Sequence, residues 1–341
     1  MCKLAIVILN WNGSDMLQRY LPSVVRCSLR DDIRVFVADN GSTDNSLRVM
    51  AREFPEVKTI PLSRNYGFAE GYNRALQTIQ AQYYMLLNSD VEIRQPRWLE
   101  PMLQYMDTHK DVAACQPKLL KLGEEQTFEY AGAAGGYIDR WGYPYCRGRV
   151  MQTVEDDYGQ YDDIALVHWT TGAAMMVRSD IYWKAGGLDP KFFAHMEEID
   201  LCWRMRIMGY KLVCIPQSTA YHLGGATLRQ GDPYKTRLNF RNNRLMLYKN
   251  LPDSTMKQIM TVRLMLDLAV LLQYVMKADW ANARAVWLAL REYYKMKAYY
   301  KSVRRQIQAQ RLMSEMTDTT SISILWQYYV KKHRSFQQID K

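Results

Sequence analysis

Short apolar runs alternate with longer amphipathic stretches through the first ninety residues. The runs at 4–9, 33–38, 57–61 and 83–87 are rich in Val, Ile, Leu and Tyr and carry no period-two alternation. They predict strands buried on both faces. The stretches at 14–27, 44–54 and 68–80 repeat apolar positions every three or four residues and predict helices. Strands and helices in strict alternation imply an α/β domain with a mostly parallel sheet covered on both sides by helices. In such sheets ligands bind beyond the carboxyl ends of the strands. Four polar clusters fall there: Asn10-Trp11-Asn12-Gly13, Asp39-Asn40-Gly41-Ser42, Arg64-Asn65-Tyr66-Gly67 and Asn88-Ser89-Asp90.

Periodicity weakens at 121–164, where Gly, Tyr and Asp dominate, and an irregular or hairpin insertion near the acceptor side is expected. Order returns at 168–177, followed by a short helix from Ser179. A helix over about 198–208 stops at Gly209, and a strand follows at 211–215. Beyond 252 the texture changes. Residues 256–276 are rich in Leu, Met and Val, but the uncharged part, 268–276, is shorter than the roughly 20 residues a bilayer span needs. Residues 280–305 mix Trp and Tyr with Lys and Arg. That combination predicts a helix lying in a membrane interface, with helices packed on the body as the alternative. The expected division is therefore 1–252, a catalytic domain, and 253–341, a basic amphipathic helical extension.

Composition narrows the class. The 341 residues are 48% hydrophobic and 23% charged, an ordinary globular mixture that excludes disordered, collagen-like and coiled-coil chains. The six cysteines form no CxxC pair, and no secretory signal precedes the first strand; a reduced, cytosolic chain is expected. The net charge of +10 is uneven: residues 1–255 hold 30 Lys/Arg against 29 Asp/Glu, and residues 256–341 hold 15 against 6. A neutral body with a basic tail calls for an anionic partner, a membrane surface rather than nucleic acid, because the tail matches no base-reading module.

Three clusters carry chemistry. Asp90 ends an apolar strand inside Asn88-Ser89-Asp90, where a carboxylate can hold Mg²⁺ or Mn²⁺ together with substrate phosphates; an Asx turn would look the same. Asp39 closes a second strand and can accept a hydrogen bond from a nucleobase, while Ser42 or Asp44 caps the next helix. The segment Phe192-Phe193-Ala194-His195-Met196-Glu197-Glu198-Ile199-Asp200-Leu201-Cys202-Trp203-Arg204 sets three carboxylates at a helix start. A helix dipole favours acids there. Crowded acids also raise one another's pKa, which suits a general base. Arg204 can hold this cluster or a phosphate. No GxGxxG is present, which counts against a nicotinamide or flavin enzyme.

Read together, Ile6-Val7-Ile8-Leu9-Asn10-Trp11-Asn12-Gly13, Val37-Ala38-Asp39-Asn40-Gly41-Ser42-Thr43-Asp44, Asn65-Tyr66-Gly67-Phe68-Ala69-Glu70-Gly71-Tyr72-Asn73, Leu86-Leu87-Asn88-Ser89-Asp90 and Glu197-Glu198-Ile199-Asp200-Leu201-Cys202-Trp203-Arg204 resemble glycosyltransferase family 2, of GT-A fold, in its rhamnosyltransferase-like branch. The resemblance spans about residues 3–250. It implies an inverting, metal-dependent transfer of a sugar from a nucleotide-diphosphate donor to a glycan, with a lipid-linked acceptor in bacterial surface polysaccharide synthesis. It implies further that Asp39, helped by Asn10 and Asn12, contacts the base, that Arg64, Asn65 and Gly67 line the nucleotide pocket, and that Asp90 and His222 hold Mg²⁺ or Mn²⁺. Asn88 stands where the family usually has Asp. Glu198 is the matching base, with Glu197 still a candidate, and Asp200 and Arg204 complete that motif. Arg241 is expected to face diphosphate, and Trp169 with Thr171 to shape the acceptor side, since an aromatic face suits a sugar ring. The expected location is cytoplasmic, peripheral on the inner face of the cell membrane. A non-catalytic carbohydrate- or nucleotide-sugar-binding protein on the same scaffold is the alternative.

Overall fold

The computed structural model describes residues 2–224, 231–312 and 319–339. Strand β1 (Cys2–Asn10) lies between β2 (Ile33–Asp39) and β4 (Ala81–Asn88), parallel to both, with Ile6 opposite Val35 on one side and Met85 on the other. A fourth parallel strand, β3 (Lys58–Pro61), edges β2. Leu4 to Val7 are fully buried, as strands covered on both faces require. Alternate residues feed two cores. Leu4, Ile6 and Ile8 pack against α1 (Ser14–Ser28), α2 (Ser46–Glu53) and α4 (Glu100–Thr108), while Ala5 and Val7 face α3 (Gly67–Leu76) and α6 (Glu197–Ile207).

The other half of the sheet departs from the predicted alternation. A two-residue strand β5 (Val91–Glu92) follows β4, and the ten-residue strand β6 (Val112–Lys121), which the hydrophobic pattern did not yield, runs deep in the sheet. Its Gln116, Pro117 and Lys118 interrupt the apolar run, yet all are buried. The expected insertion is a set of short strands. Strand β7 (Glu124–Phe128) turns back on β6. Strands β8 (Gly136–Ile138), β9 (Pro144–Cys146), β10 (Arg149–Val150) and β11 (Thr153–Val154) form a separate four-stranded sheet. Strand β12 (Ala165–Leu166) edges the main sheet, and β13 (Ala174–Arg178) inserts antiparallel between β4 and β6. Helix α5 (Ser179–Lys184) follows.

The last strand, β14 (Lys211–His222), is twelve residues long and does not stop near 215 as expected. Pro216 costs it a ladder bond, and its register on β6 shifts between Ile215 and Thr219 before pairing resumes. That continuation carries His222 to a position opposite Val91.

Three long helices follow, α7 (Pro233–Asn250), α8 (Asp253–Met276) and α9 (Trp280–Ala309), and two short helical turns, Trp326–Val330 and Phe336–Ile339, come after them. Helix α7 packs along α9, and Arg304 of α9 donates to the Leu251 carbonyl at 2.7 Å. The final segment returns to the insertion, where the Thr320 and Ile324 amides donate to the Ile138 carbonyl and the Asp139 carboxylate at 2.8 Å each.

Helix α8 is longer than the uncharged run implied. Among the described residues it is the one helix long and apolar enough to cross a membrane. Two features oppose a span. Asp267 is fully buried between Arg244 of α7 at 2.9 Å and Arg263 at 3.4 Å, and the Arg263 guanidinium lies 3.7 Å from the Tyr143 ring centroid. The opposite side of the helix exposes Met265, Leu268, Leu272 and Met276 at helical spacing.

Candidate active site

The rim at the carboxyl ends of β1 to β3 is tied together by side chains. Asn10 stands opposite Asp39, and its amide donates to Asp39 Oδ1 at 3.3 Å. The Ser42 amide donates to Asp39 Oδ2 at 3.0 Å. Asn12 adopts a positive φ of 50°, accepts from the Thr43 amide at 2.7 Å and sends its own N–H to Ser42 Oγ at 2.9 Å. Asn40, to which the motif reading gave no role, holds the third loop. It accepts from the Tyr66 amide at 3.0 Å and donates to Asn65 Oδ1 and the Gly67 carbonyl at 3.1 Å each. Arg64 is exposed at this rim, with its guanidinium 5.0 Å from the Tyr66 ring centroid. Gly67 has φ +78°, and a Cβ there would sit 2.4 Å from the Phe193 ring. Only glycine satisfies both demands.

A second cluster forms where β4, β5 and β14 meet. His222 Nε2 lies 3.0 Å from Asp90 Oδ1 and 3.3 Å from the Asn88 amide nitrogen, and its Nδ1 lies 3.3 Å from Glu129 Oε1. Burial alone would lower the His222 pKa, but the two flanking carboxylates overcome it and raise the value to about 10. Burial pushes the Asp90 carboxyl up, and the His222 hydrogen bond and charge outweigh that and hold it below its ordinary range. Among the described residues no group of three His, Cys, Asp or Glu forms a cage for a cation. One carboxylate and one imidazole at the mouth of a rim, beside a half-exposed Asn88, suit a divalent ion that completes its shell with diphosphate oxygens. The donor set therefore fits Mg²⁺ or Mn²⁺.

The acid cluster is introduced by a contorted loop. Phe193, His195 and Met196 all have positive φ, at 67°, 69° and 71°. Such backbone persists only where the surroundings over-determine it, and it concentrates at functional sites. Two devices hold it here. The Phe193 carbonyl accepts the Phe68 amide at 2.7 Å, which ties the loop to the first turn of α3. The Asn242 side-chain amide of α7 donates to the carbonyls of Phe192, Ala194 and His195 at 2.8–2.9 Å. Replacing Asn242 with alanine strips these carbonyls of their buried donor, and urea denaturation should show a loss of about 2–3 kcal/mol.

Glu197 and Glu198 follow immediately. Burial pushes Glu198 up to about 7. Burial and then the Glu198 charge raise Glu197 well above its ordinary range. The Oε2 atom of each is buried without a hydrogen-bond partner. Asp200, two residues on, is different in kind. It takes Arg204 Nε at 3.0 Å, Lys249 Nζ at 2.7 Å and Asn250 Nδ2 at 2.8 Å, and these charges outweigh its burial and keep it ionised. Arg204 also donates to the carbonyls of Ala185 and Gly187. Asp200 and Arg204 thus form a fully partnered internal brace behind the acid pair. Arg241 is likewise engaged, donating to the carbonyls of Lys191 and Phe192 at 3.2 and 3.0 Å and standing 3.6 Å from Glu292.

The clusters converge. The Asn88 amide donates to the Ala173 carbonyl at 3.0 Å, so the metal-binding candidate begins at the β4–β13 junction. The neighbouring Gly172 lies against the acid pair and the third loop, since a Cβ on it would be 3.6 Å from Glu198 Cβ and 3.4 Å from the Phe68 ring. Trp169 and Thr171 lie deeper. The Trp169 indole is 2% exposed, packs flat on Gly136 and donates to the Tyr137 carbonyl at 3.0 Å, and the Thr171 amide donates to Gln116 Oε1 at 2.9 Å. They buttress the wall, and the indole face is covered. Sequence reasoning missed Asn40 and Glu129, and Asn242, beside Arg241, is an anchor of the acid loop. Glu129 lies in the poorly patterned insertion, and only the burial of its charge marks it.

Comparison with known proteins bears on the family and the fold. Residues 5–165 match the model of Glycosyl transferase family 2. The N-acetylglucosaminyl-diphospho-decaprenol L-rhamnosyltransferase of Mycobacterium tuberculosis is 24% identical over 248 residues, covering 64% of this chain and 75% of that protein. The O-antigen biosynthesis protein RfbC of Myxococcus xanthus is 22% identical over 67% of this chain but only 18% of its own length. The structure of GalNAc-T7 with UDP, GalNAc and Mn²⁺ superposes with a TM-score of 0.57 at 16% identity, over 73% of this chain and 48% of that one. The architecture is thus the GT-A fold, and residues 5–165 carry the likeness to glycosyltransferase family 2, with a rhamnosyltransferase among the chain's relatives.

Proposed function

We propose that this chain transfers a sugar, with inversion, from a nucleotide-diphosphate donor to a hydroxyl of a lipid-linked glycan in bacterial surface polysaccharide synthesis, and that a divalent cation assists. The observation that carries the reading is the meeting, at the β4–β13 junction, of the Asp90–His222 pair and an acid pair with buried, unpartnered oxygens. The Asn10–Asp39–Asn12 rim holds the base, and Arg64 with the Asn65–Gly67 turn flanks the nucleotide. Asp90 and His222 would hold Mg²⁺ or Mn²⁺, which when bound neutralises charge on the departing diphosphate.

Glu198 takes the acceptor hydroxyl proton. The acceptor oxygen forms its bond to the anomeric carbon from the face opposite the diphosphate, whose carbon–oxygen bond breaks with both electrons. One displacement inverts the configuration. Burial and the Glu198 charge hold Glu197 toward its protonated form, and Glu198 is the acid that lies against Gly172 beside the β4–β13 junction, which supports Glu198 as base. L-Rhamnosyl is the first donor sugar to test, given the activity named for the mycobacterial relative. The test is release of nucleoside diphosphate from a panel of nucleotide sugars, with acceptor, in Mn²⁺ and in EDTA. Cation-dependent release with one donor supports the reading. Tight nucleotide-sugar binding without turnover across the panel would favour the non-catalytic alternative.

The extension beyond residue 252 serves this reaction as a membrane mount. The α8 stripe of Met265, Leu268, Leu272 and Met276 continues into exposed Trp280 and Trp287 of α9, among Arg284, Arg291 and Lys295. Apolar and Trp positions beside cations suit the headgroup layer of an anionic leaflet, here the cytoplasmic one. The buried Asp267 keeps the other face of α8 on the body, so the helix lies in the interface without spanning. Co-sedimentation with vesicles containing phosphatidylglycerol should fall by about tenfold or more for Leu268→Glu/Leu272→Glu. It should also weaken as salt rises.

A further inference from the structure

We propose that Glu129, in the loop between β7 and β8, is a positioning residue for the cation site, fixing the His222 imidazole through Nδ1 while Nε2 faces Asp90. The inference rests on the reading of Asp90 and His222 as cation ligands and adds a residue that neither the family motifs nor the comparisons assign.

The geometry is that of a carboxylate–imidazole–carboxylate line. Asp90 Oδ1 is hydrogen-bonded to Nε2 at 3.0 Å, and Glu129 Oε1 stands 3.3 Å from Nδ1 as an ion-pair neighbour, too misaligned for a hydrogen bond. A histidine that offers one ring nitrogen to a cation commonly gives the other N–H to a carboxylate, which fixes both tautomer and ring orientation. Glu129 is itself immobilised. Its side chain is 5% exposed, its Oε2 accepts the Ala131 amide at 2.7 Å, and its own amide donates to the Leu119 carbonyl at 2.9 Å. The positive charges of Arg149 in β10 and Lys235 in α7 act on it from two further elements. A carboxylate buried to this degree and aimed at one imidazole is costly unless it is used.

The consequence concerns the insertion. Strands β8 to β11 of the insertion form a sheet of their own, and Glu129, just before β8, stands where that sheet meets the proposed cation site.

The test is Mn²⁺ titration of the full chain by electron paramagnetic resonance, with no nucleotide present, for wild type, Glu129→Gln, Glu129→Ala and Asp90→Asn. The Gln side chain still offers an oxygen to Nδ1–H. The expected result is a 10–100-fold weaker Mn²⁺ dissociation constant in Glu129→Ala. Glu129→Gln should recover most of it, with an unchanged melting temperature. Wild-type affinity in both Glu129 variants, while Asp90→Asn has lost the ion, overturns the inference and leaves the cation site standing. Wild-type affinity in all three variants overturns the cation site itself. A loss in both Glu129 variants that tracks a lowered melting temperature reduces Glu129 to a structural residue, and the inference fails.

Discussion

Glu198→Gln is expected to cut transfer by about 10³-fold while leaving the affinity for nucleotide sugar within about twofold of wild type. The side chain keeps its size, and the Asp90–His222 pair lies on a different element, so only proton acceptance is removed. The same carboxyl sets the pH profile. Its ionised form is the base, and burial raises its pKa to about 7. Activity is therefore present above neutrality and lost as the pH falls through about 7, well above the ordinary glutamate range near 4.3. Glu197→Gln is the contrast. Burial and the Glu198 charge raise Glu197 well above the ordinary carboxyl range, so an amide there replaces a neutral acid with a neutral group of the same shape. Within a few-fold of wild-type turnover is expected. Steady-state rates for the two variants between pH 5 and 9 decide the assignment, and a larger loss in Glu197→Gln than in Glu198→Gln reverses it.

Asp90→Asn should be equally severe for a different reason. The substitution leaves the volume intact but removes the negative charge that faces His222 at 3.0 Å. With it goes the anionic ligand of the proposed cation. The stabilisation of charge on the departing diphosphate then falls away, and kcat/KM should drop by at least about 10²-fold. The defect should be shared by substrate binding, because the same ion grips the ground-state diphosphate. Calorimetry of nucleoside diphosphate with Mn²⁺ should therefore show weakened binding in Asp90→Asn and intact binding in Glu198→Gln. Full Mn²⁺-dependent affinity in Asp90→Asn would remove this residue from the site.

How far the sequence revealed this arrangement depended on the period of each segment. Strands β1, β2 and β4 were legible because strands buried on both faces are continuous apolar runs bounded by polar turns, whereas β3, Lys58-Thr59-Ile60-Pro61, is a largely exposed edge strand and not the buried run expected. Helix α6 was legible from its acid start and its glycine stop. Strand β6 was not, because Gln116, Pro117 and Lys118 break its pattern; they are buried through contacts made by distant residues, such as the Lys118–Asp157 ion pair at 2.6 Å. The end of β14 was hidden by Pro216 in the same way, and with it the reason why His222 meets Asp90. Among site residues, those on strand ends and at the helix start followed from position and chemistry alone. Asp200, Arg204 and Arg241 have charges that are spent internally, which only coordinates reveal. Trp169 fell short because an aromatic residue in a motif looks the same whether its face is open or covered.

The Phe193 carbonyl, which anchors the opening turn of α3, has an evolutionary corollary. The turn that flanks the nucleotide and the loop that presents the acid pair share their supports, so drift toward a new donor at residues 64–67 also disturbs the proton acceptor. Loop 10–14 leans on loop 39–46 through Asn12, Ser42 and Asp44, whereas loop 39–46 is itself tied to the 65–67 turn through Asn40. Diversification of donor preference on this scaffold should therefore travel through residues 10–14, the loop furthest removed in this chain of supports from the proton acceptor.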